Sequence, residues 1–355
     1  MPELILLCSA AAGDRATTTG AIDAQLADPQ ALRRVLDGGA FARAFSRDLK
    51  TSDSSDDALV PRELPEERWW RERLGIPDTD SIQAFAALAH GMALPCWRLT
   101  PTHVEIGLDQ ARLADPAEVA LSAEESASLA AEAAPIFADY GIALQAPSPR
   151  AWFVTGDLGI DPETRSWTMV AGRNVDAYLP RGEQSRRWRK LLNEIQMTWF
   201  AGEANRARES RGAPVVNMLW LDGRAGTTLA PLSASIVSRD DALAGLAIAS
   251  GARAIDPGAA MPGADALREL ADAGDVVVDL AGWVQARRQG DPLAWLDAWQ
   301  DFDAWIARIG VDRGVPAGFD GVRAVLTGER RRLELQRRVS PWWRVRRRID
   351  PIGLL

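Results

Sequence analysis

The chain has 355 residues, of which 47% are apolar and 25% charged, and its formal net charge is −8 at pH 7. This composition predicts an ordinary soluble protein with a large core, too long for a single small domain. His90 and His103 are the only histidines and lie thirteen positions apart without the spacing of metal ligands, and Cys8 and Cys96 do not form a ligand pair beside them, which argues against zinc sites and most histidine-based catalysis.

The first predicted element is a buried β-strand over residues 4–8. The acidic Glu3 stands where a signal peptide carries basic residues, and the apolar run is too short to span a membrane. Cys8 and Cys96 are too few for a disulfide framework, which favours a reducing compartment. We therefore expect a cytoplasmic protein without a transmembrane segment.

Turn-rich and polar stretches suggest the domain boundaries. Residues 51–67 are strongly polar and predict a mobile surface loop, and residues 145–149 and 179–184 are rich in turn formers. We expect a core α/β domain formed by residues 1–95 and 184–328. A smaller α/β domain, residues 96–183, is inserted between them, and residues 329–355 form a basic tail.

Three helices have clear sequence signals. Ser122 and Glu125 form a capping box that opens a helix running to about Tyr140. Two further helices carry continuous apolar stripes, which favour tryptophans anchored in a core rather than in a ligand site. The stripes consist of Trp188, Leu191, Leu192, Ile195 and Trp199, and of Trp295, Trp299, Phe302, Ile306 and Ile309.

Short β-rich runs alternate with these helices, over residues 152–155, 215–221, 276–280 and 322–327. Those at 215–221, 276–280 and 322–327 are apolar enough for a sheet that is covered on both faces. Alternation of strand and helix predicts an α/β fold with a mostly parallel sheet.

Several polar residues are candidates for ligand binding. Arg173, Asn174 and Asp176 suit either an anion or the closure of their own turn. His103 either donates to a phosphate or is a satisfied structural residue. Further polar candidates lie around one helix and the strand after it, where asparagines also commonly satisfy backbone groups. They are Asn193, Asn205, Arg208 and Asn217.

The C-terminal region is basic although the chain is acidic. Between residues 329 and 348 nine arginines stand against two glutamates, and Trp342 and Trp343 lie among them. Such a segment suits an anionic membrane surface, RNA or an acidic partner, or it folds back on the acidic body of the protein.

Common catalytic motifs are missing from the sequence: it has no Walker loop, nucleotide-binding glycine fingerprint, nucleophile elbow or Cys-x-x-Cys. Weaker matches to one family cover nearly the whole chain, at residues 13–15, Trp97 and Arg98, 205–208 and 211–217. Because of these matches, the chain resembles the archaeal-type cofactor-independent phosphoglycerate mutases of the alkaline phosphatase superfamily. Residues 99–103, 172–180 and 192–197 resemble the RpfE-type bacterial regulatory proteins, which are phosphoglycerate mutase-like. The resemblance implies an alkaline phosphatase-like sheet flanked by helices, with an inserted domain that Trp97 and Arg98 open, and Arg98 is a further candidate for ligand binding.

The departures from this family concern its metal ligands. Such mutases use two metal ions, held by aspartates and histidines, to activate a serine or threonine. The resemblance places Ala10 at an aspartate position, residues 284–288 at Asp-Glu-Ala-Gly-His, and residues 327–330 at Thr-x-Asp-His. Arg288 and Arg330 thus stand where the family has histidines, and arginine does not ligate metals. The resemblance therefore implies a protein without a cofactor, in which these guanidinium groups either bind a phosphate or carboxylate or lie on the surface.

Three functions follow as hypotheses. The first is a degenerate, metal-free mutase-like protein that binds a phosphorylated small molecule or a protein partner in a regulatory role. The second is an active phosphoglycerate mutase or phosphotransferase with an atypical site. The third is a protein that acts through its basic tail on a membrane or nucleic acid, although no RNA-binding signature accompanies that tail.

Overall fold

The computed structural model describes residues 2–12, 29–46, 49–55, 62–107, 110–159, 164–180, 185–226, 228–339 and 350–355. The family match at residues 13–15 and the tail residues 340–349 lie outside this part of the chain. The described residues form thirteen strands: β1 (Glu3–Cys8), β2 (Leu49–Ser55), β3 (Cys96–Thr102), β4 (Val104–Ile106), β5 (Ala111–Leu113), β6 (Ala143–Ser148), β7 (Ala151–Thr155), β8 (Met218–Ala225), β9 (Ala234–Val237), β10 (Arg253–Ile255), β11 (Asp275–Leu280), β12 (Gly321–Thr327) and β13 (Arg331–Arg338).

The same residues form thirteen α-helices: α1 (Pro29–Leu36), α2 (Ala40–Ala44), α3 (Pro65–Leu74), α4 (Ala86–Ala89), α5 (Pro116–Val119), α6 (Ala123–Asp139), α7 (Trp167–Val170), α8 (Ser185–Ala201), α9 (Glu203–Ser210), α10 (Asp241–Ser250), α11 (Ala264–Ala271), α12 (Gly282–Gln289) and α13 (Pro292–Ile309). Short 3₁₀ helices cover Ile82–Phe85, Val175–Ala177 and Ile352–Leu354. None of these helices is long and apolar enough to cross a membrane.

The chain divides by its internal contacts into two compact units, one of residues 1–70 and 230–355, the other of residues 71–229. The first unit contains a seven-stranded sheet in the order β10-β9-β11-β1-β12-β13-β2. The strands from β10 to β12 run parallel, whereas β13 is antiparallel to β12 and to β2. This sheet confirms the predicted mixed α/β class with a mostly parallel central sheet flanked by helices.

The core of the first unit explains why its parallel strands are continuously apolar. Leu4 and Leu6 of β1 are fully buried on the face that packs against α1, α2, α12 and α13. The predicted apolar stripe of α13 is confirmed, because all five of its residues are buried. Trp299 lies at the centre, with the rings of Phe41, Trp283 and Phe302 between 5.1 and 5.7 Å away in tilted edge contacts.

The second unit has its own sheet and core. Strands β6, β7, β3 and β8 form an antiparallel sheet in that order, and β4 pairs with β5. The capping box of Ser122 and Glu125 opens α6 as predicted. The rings of Trp152 in β7 and Trp199 in α8 meet edge-on at 5.9 Å, and both indole nitrogens donate to residues of α6.

This unit extends beyond the range 96–183 that the sequence suggests for an inserted domain. Strand β8 pairs with β3 along seven positions, and α8 and α9 pack on one another and on α6. The prediction that residues 215–221 belong to the parallel sheet is therefore wrong. They begin an antiparallel strand of the second unit. Its apolar residues are compatible with either kind of buried strand, so composition did not separate the two.

Two polar segments also differ from the sequence-based expectation. Residues 51–55, predicted as a mobile loop, belong to β2, and residues 331–338, predicted as tail, form β13. Leu333 and Leu335 are buried, and the buried Arg331 donates from Nε and Nη2 to both carboxylate oxygens of Asp53 at 3.0 and 3.1 Å. In residues 331–338 the alternation of leucine with charged residues is typical of a strand. The number of arginines led instead to the prediction of a tail.

Candidate functional site

A cavity of about 620 Å³ lies at the carboxyl ends of β9, β10 and β11. Ligands of open α/β sheets bind at this edge, where the loops after the strands converge. Its walls combine apolar side chains with four charged ones. The lining residues are Arg239, Pro257, Ala259, Met261, Asp279, Leu280, Ala281, Gly282, Trp283, Ala294, Asp297, Ala298, Asp301, Phe302 and Trp305.

Asp279, near the end of β11, is the most enclosed carboxylate of the cavity. Its Oδ2 accepts a hydrogen bond of 2.7 Å from the Ser238 hydroxyl, which in turn accepts 2.9 Å from the backbone N–H of Asp240. Burial raises the pKa of Asp279 to about 7, and the bond from Ser238 opposes part of that rise. The carboxyl group is therefore able to donate or accept a hydrogen bond near neutral pH.

The other charged groups of the lining come from the segment after β9 and from α13. Arg239 follows β9 and donates from Nε to the carbonyl oxygen of Gly258 at 2.8 Å. Asp297 and Asp301 are exposed and lie one turn apart on α13. Their spacing of four residues puts both carboxylates on the same helix face.

Aromatic side chains form the apolar wall. Trp283 and Phe302 have ring centroids 5.3 Å apart, and Phe302 stacks on Trp305 at 6.4 Å. The indole nitrogen of Trp305 donates to the carbonyl oxygen of Pro262 at 3.0 Å. The indole N–H of Trp283, in contrast, is buried without a hydrogen-bond partner among the described residues.

A second polar group lies at the ends of β1 and β12. The backbone N–H of Ala10 donates to the Thr327 hydroxyl at 3.2 Å, and that hydroxyl donates to Glu66 Oε2 at 2.9 Å. Burial raises the pKa of Glu66 to about 7, and the guanidinium of Arg287 lowers it in part. Arg287 also donates to the carbonyl oxygen of Ala12 at 2.8 Å. Ala10 has a φ of 62°, which an L-residue with a Cβ adopts at some cost.

The residues at this edge do not fit the two-metal site that the family resemblance implies. Among the described residues, no group of three or more His, Cys, Asp or Glu side chains is arranged to hold a metal ion. Ala10, Val284 and Arg288 occupy three of the expected ligand positions, and none of these side chains ligates a metal.

Four of the sequence-predicted site residues meet around one segment of the second unit, residues 214–217. Asn205 bonds to both backbone groups of Val216 at 2.8 Å, and Arg208 Nε donates to the Pro214 carbonyl at 2.7 Å. His103 Nδ1 lies 2.8 Å from the Val215 carbonyl. Asn217 in turn bonds to both backbone groups of Val104. Asn205, Arg208 and His103 thus satisfy backbone groups of the segment, and Asn217 joins it to β4. Arg208 also pairs with Glu125 at 2.6 Å.

Arg98 is buried in β3 of the same unit. It donates to the carbonyl and side-chain oxygens of Gln83 at 3.0 and 2.9 Å, and its Nε lies 3.6 Å from Asp222 Oδ2. Asp222 is fully buried and also accepts from the Thr100 hydroxyl and the backbone N–H of Trp167. This interior ion pair orders the strands that carry it.

The remaining candidates of the second unit lie in the turn at residues 173–176 and on α8. Asn174 caps the 3₁₀ turn by accepting from the backbone N–H of Asp176 at 3.1 Å, and Arg173 accepts from Leu113 through its carbonyl oxygen. Asn193 is exposed on α8. As ligand-binding residues these stay predictions.

Arg288 lies in the last turn of α12, and Arg330 lies between β12 and β13. Arg287, which precedes Arg288 in α12, is the arginine that lowers the pKa of Glu66. The sequence-based reading missed Glu66, Asp279, Arg239 and the acids of α13. Their only local signal is that Asp279 and Arg239 lie at the ends of apolar strands.

This mixed α/β architecture is shared with a solved structure, that of the PH0037 protein from Pyrococcus horikoshii. The TM-score is 0.53 at 16% identity, and the match covers 94% of this chain and 87% of that chain. A cofactor-independent phosphoglycerate mutase from Thermoplasma acidophilum DSM 1728 also matches, with a TM-score of 0.47 at 12% identity over 99% of this chain and 94% of that one. No protein-family model and no curated sequence matches the chain. At such low identity, the likeness to the Pyrococcus protein shows the fold alone.

Proposed function

We propose that this protein is a degenerate relative of the cofactor-independent phosphoglycerate mutases, which binds a small molecule or a protein in a regulatory role and does not interconvert phosphoglycerates. The family resemblance of the sequence supports the relationship, and the carboxyl edge of the sheet supports the loss of activity.

The observation that carries the proposal is the closed network of Ala10, Thr327 and Glu66. The Thr327 hydroxyl accepts from Ala10 and donates to Glu66, so its donor and one acceptor site are used within the protein. Ala10 supplies no carboxylate where the resemblance expects a metal ligand. The edge is thus stabilised by internal hydrogen bonds in a region where a mutase needs open coordination positions.

One feature favours the second candidate, an active phosphotransferase with an atypical site. Glu66 has a pKa of about 7 and accepts from a hydroxyl, which is the arrangement of a general base and its nucleophile. Thr327, however, is fully buried. A substrate does not reach this hydroxyl without displacement of the surrounding structure, so we assign the pair a structural role.

The test is a mutase assay of the purified protein with Mn²⁺, Mg²⁺ or Zn²⁺ added, in which the Thermoplasma mutase serves as the positive control. We expect no interconversion of 2- and 3-phosphoglycerate and no stoichiometric metal by elemental analysis. Turnover that a chelator abolishes and added metal restores would contradict the proposal. Turnover that persists with chelator but disappears in Thr327→Val would support the atypical phosphotransferase.

A further inference from the structure

The cavity at the ends of β9, β10 and β11 carries the wrong charge for a phosphorylated acid. Its charged lining consists of one arginine, Arg239, and three aspartates, Asp279, Asp297 and Asp301. The lining is negative whether Asp279 is ionised or not. A phosphate ester would meet two or three carboxylates and a single guanidinium, so its binding there is unfavourable.

Asp297 and Asp301 form no hydrogen bond or ion pair with any other described residue. Like charges at this helical spacing repel one another. Two other surface acids of the first unit are paired, Asp350 with Arg33 and Asp265 with Arg268. The two acids of α13 therefore present unpaired negative charge at the cavity wall.

The rest of the wall suits an apolar, aromatic body. Trp283, Phe302 and Trp305 offer ring surfaces, and Met261 and Leu280 add flexible and branched apolar contacts. Aromatic faces attract cations as well as apolar groups, because the ring carries negative charge on its faces. The indole N–H of Trp283 is buried and has no acceptor among the described residues.

We infer that this cavity binds an organic cation: a protonated amine whose ammonium group lies at Asp297 and Asp301 and whose apolar body packs on Trp283, Phe302 and Trp305. Its volume of about 620 Å³ falls within the range of small-molecule sites. This inference goes beyond the proposed function and does not depend on it, because its measurement involves no phosphoglycerate and no turnover.

The experiment uses two probes with the same ring and chain length and opposite charge. Tryptamine carries an ammonium group, and indole-3-propionate carries a carboxylate in its place. Calorimetric titration of the full chain is expected to show one site for tryptamine and at least about ten-fold weaker binding of indole-3-propionate. Added salt is expected to weaken the binding of tryptamine but not that of indole-3-propionate.

Variants locate the site. Asp297→Asn with Asp301→Asn is expected to weaken tryptamine binding about ten-fold, since each carboxylate makes a charge-assisted contact. The matched control is Asp265→Asn with Glu269→Gln, another exposed acid pair four residues apart, on α11 and outside the lining, which should leave the affinity unchanged. Ala294→Phe keeps both aspartates and fills the cavity, so it should abolish binding.

Three results would each overturn the inference. One is the absence of tryptamine binding at millimolar concentration in a protein whose thermal transition shows it to be folded. Another is equal or tighter binding of indole-3-propionate. The third is an equal loss of affinity in the α11 control and in the α13 variant, which would show a diffuse attraction to an acidic surface.

Discussion

At the scale of single residues, Glu66 is a carboxyl group whose surroundings oppose its ionisation. Its carboxyl is enclosed by protein, and its partners are the Thr327 hydroxyl and, at longer range, Arg287 and Glu67. Burial outweighs the favourable hydrogen bond and the guanidinium, so the neutral form persists to about pH 7. A group of this kind couples stability to pH.

We expect Glu66→Gln to flatten the dependence of stability on pH. Because the pKa in the folded protein lies above the ordinary value of 4.5, the folded state keeps a proton that the unfolded chain loses between about pH 4.5 and 7. Stability is therefore greatest below that window and falls as the pH rises through it, by up to about 3 kcal/mol for this carboxyl. Glutamine is always neutral and still accepts from Thr327.

The measurement is the free energy of unfolding by urea at pH 5 and pH 8, for wild type, Glu66→Gln and the exposed control Glu269→Gln. Asp279 contributes a fall of its own, which all three proteins keep. The variant should lose less stability than wild type between the two pH values, whereas the control should follow wild type. Identical pH profiles for Glu66→Gln and wild type would refute this account.

At the scale of elements, the start of β11 shows how backbone contacts fix the strand next to the cavity. Gly274 has a φ of 119°, and a Cβ added to it would overlap the carbonyl oxygen of Ser233. That same carbonyl accepts from the backbone N–H of Asp275 at 3.2 Å. The chain before β11 and the chain before β9 thus approach more closely than a side chain permits.

Gly274→Ala is expected to cost about 3 kcal/mol or more, because unfavourable φ and steric overlap add to one another. Gly314→Ala is the matched control, since a Cβ there meets nothing within 4 Å and its φ lies outside the left-handed region. That change should leave stability within about 1 kcal/mol of wild type. Urea denaturation of both variants measures the change in the free energy of unfolding. Similar midpoints for the two variants would show that β11 and β9 can separate without loss of stability.

At the scale of the whole molecule, the contact division gives one unit made of two segments and one made of a single segment, residues 71–229. We propose that the single segment is a domain inserted into the other. Its sheet, its two-stranded ribbon and the packing of α6, α8 and α9 are all formed within that range. Such a segment has the contacts that independent folding requires.

A fragment of residues 71–229 is therefore expected to unfold cooperatively on its own. The shorter fragment of residues 96–183, which sequence signals alone suggest, should not. It lacks β8, which pairs with β3, and it lacks α8 and α9, which pack on α6. Thermal unfolding followed by circular dichroism compares them, and an equally cooperative transition in the shorter fragment would contradict this division.

The sequence by itself determined those features that depend on near neighbours. The apolar runs of β1, β11 and β12, the stripe of α13 and the capping box of α6 are patterns with a period of 2 or 3.6 residues or a spacing of three, and the structure has each of them. That Ala10 and Arg288 carry no metal-ligating atom was likewise visible, because the atoms of a side chain do not depend on the fold.

The tertiary structure alone decided which distant groups meet. Ala10 and Thr327 are 317 positions apart, and Arg331 and Asp53 are 278 apart, yet each pair is joined by a hydrogen bond. Composition marked residues 331–338 as a basic tail, but pairing with β12 and β2 made them a strand. The raised pKa of Asp279 and the unpaired acids of the cavity wall follow from burial and from neighbours on other elements. Burial and electrostatic interaction depend on distance in space, which local spacing along a chain does not contain.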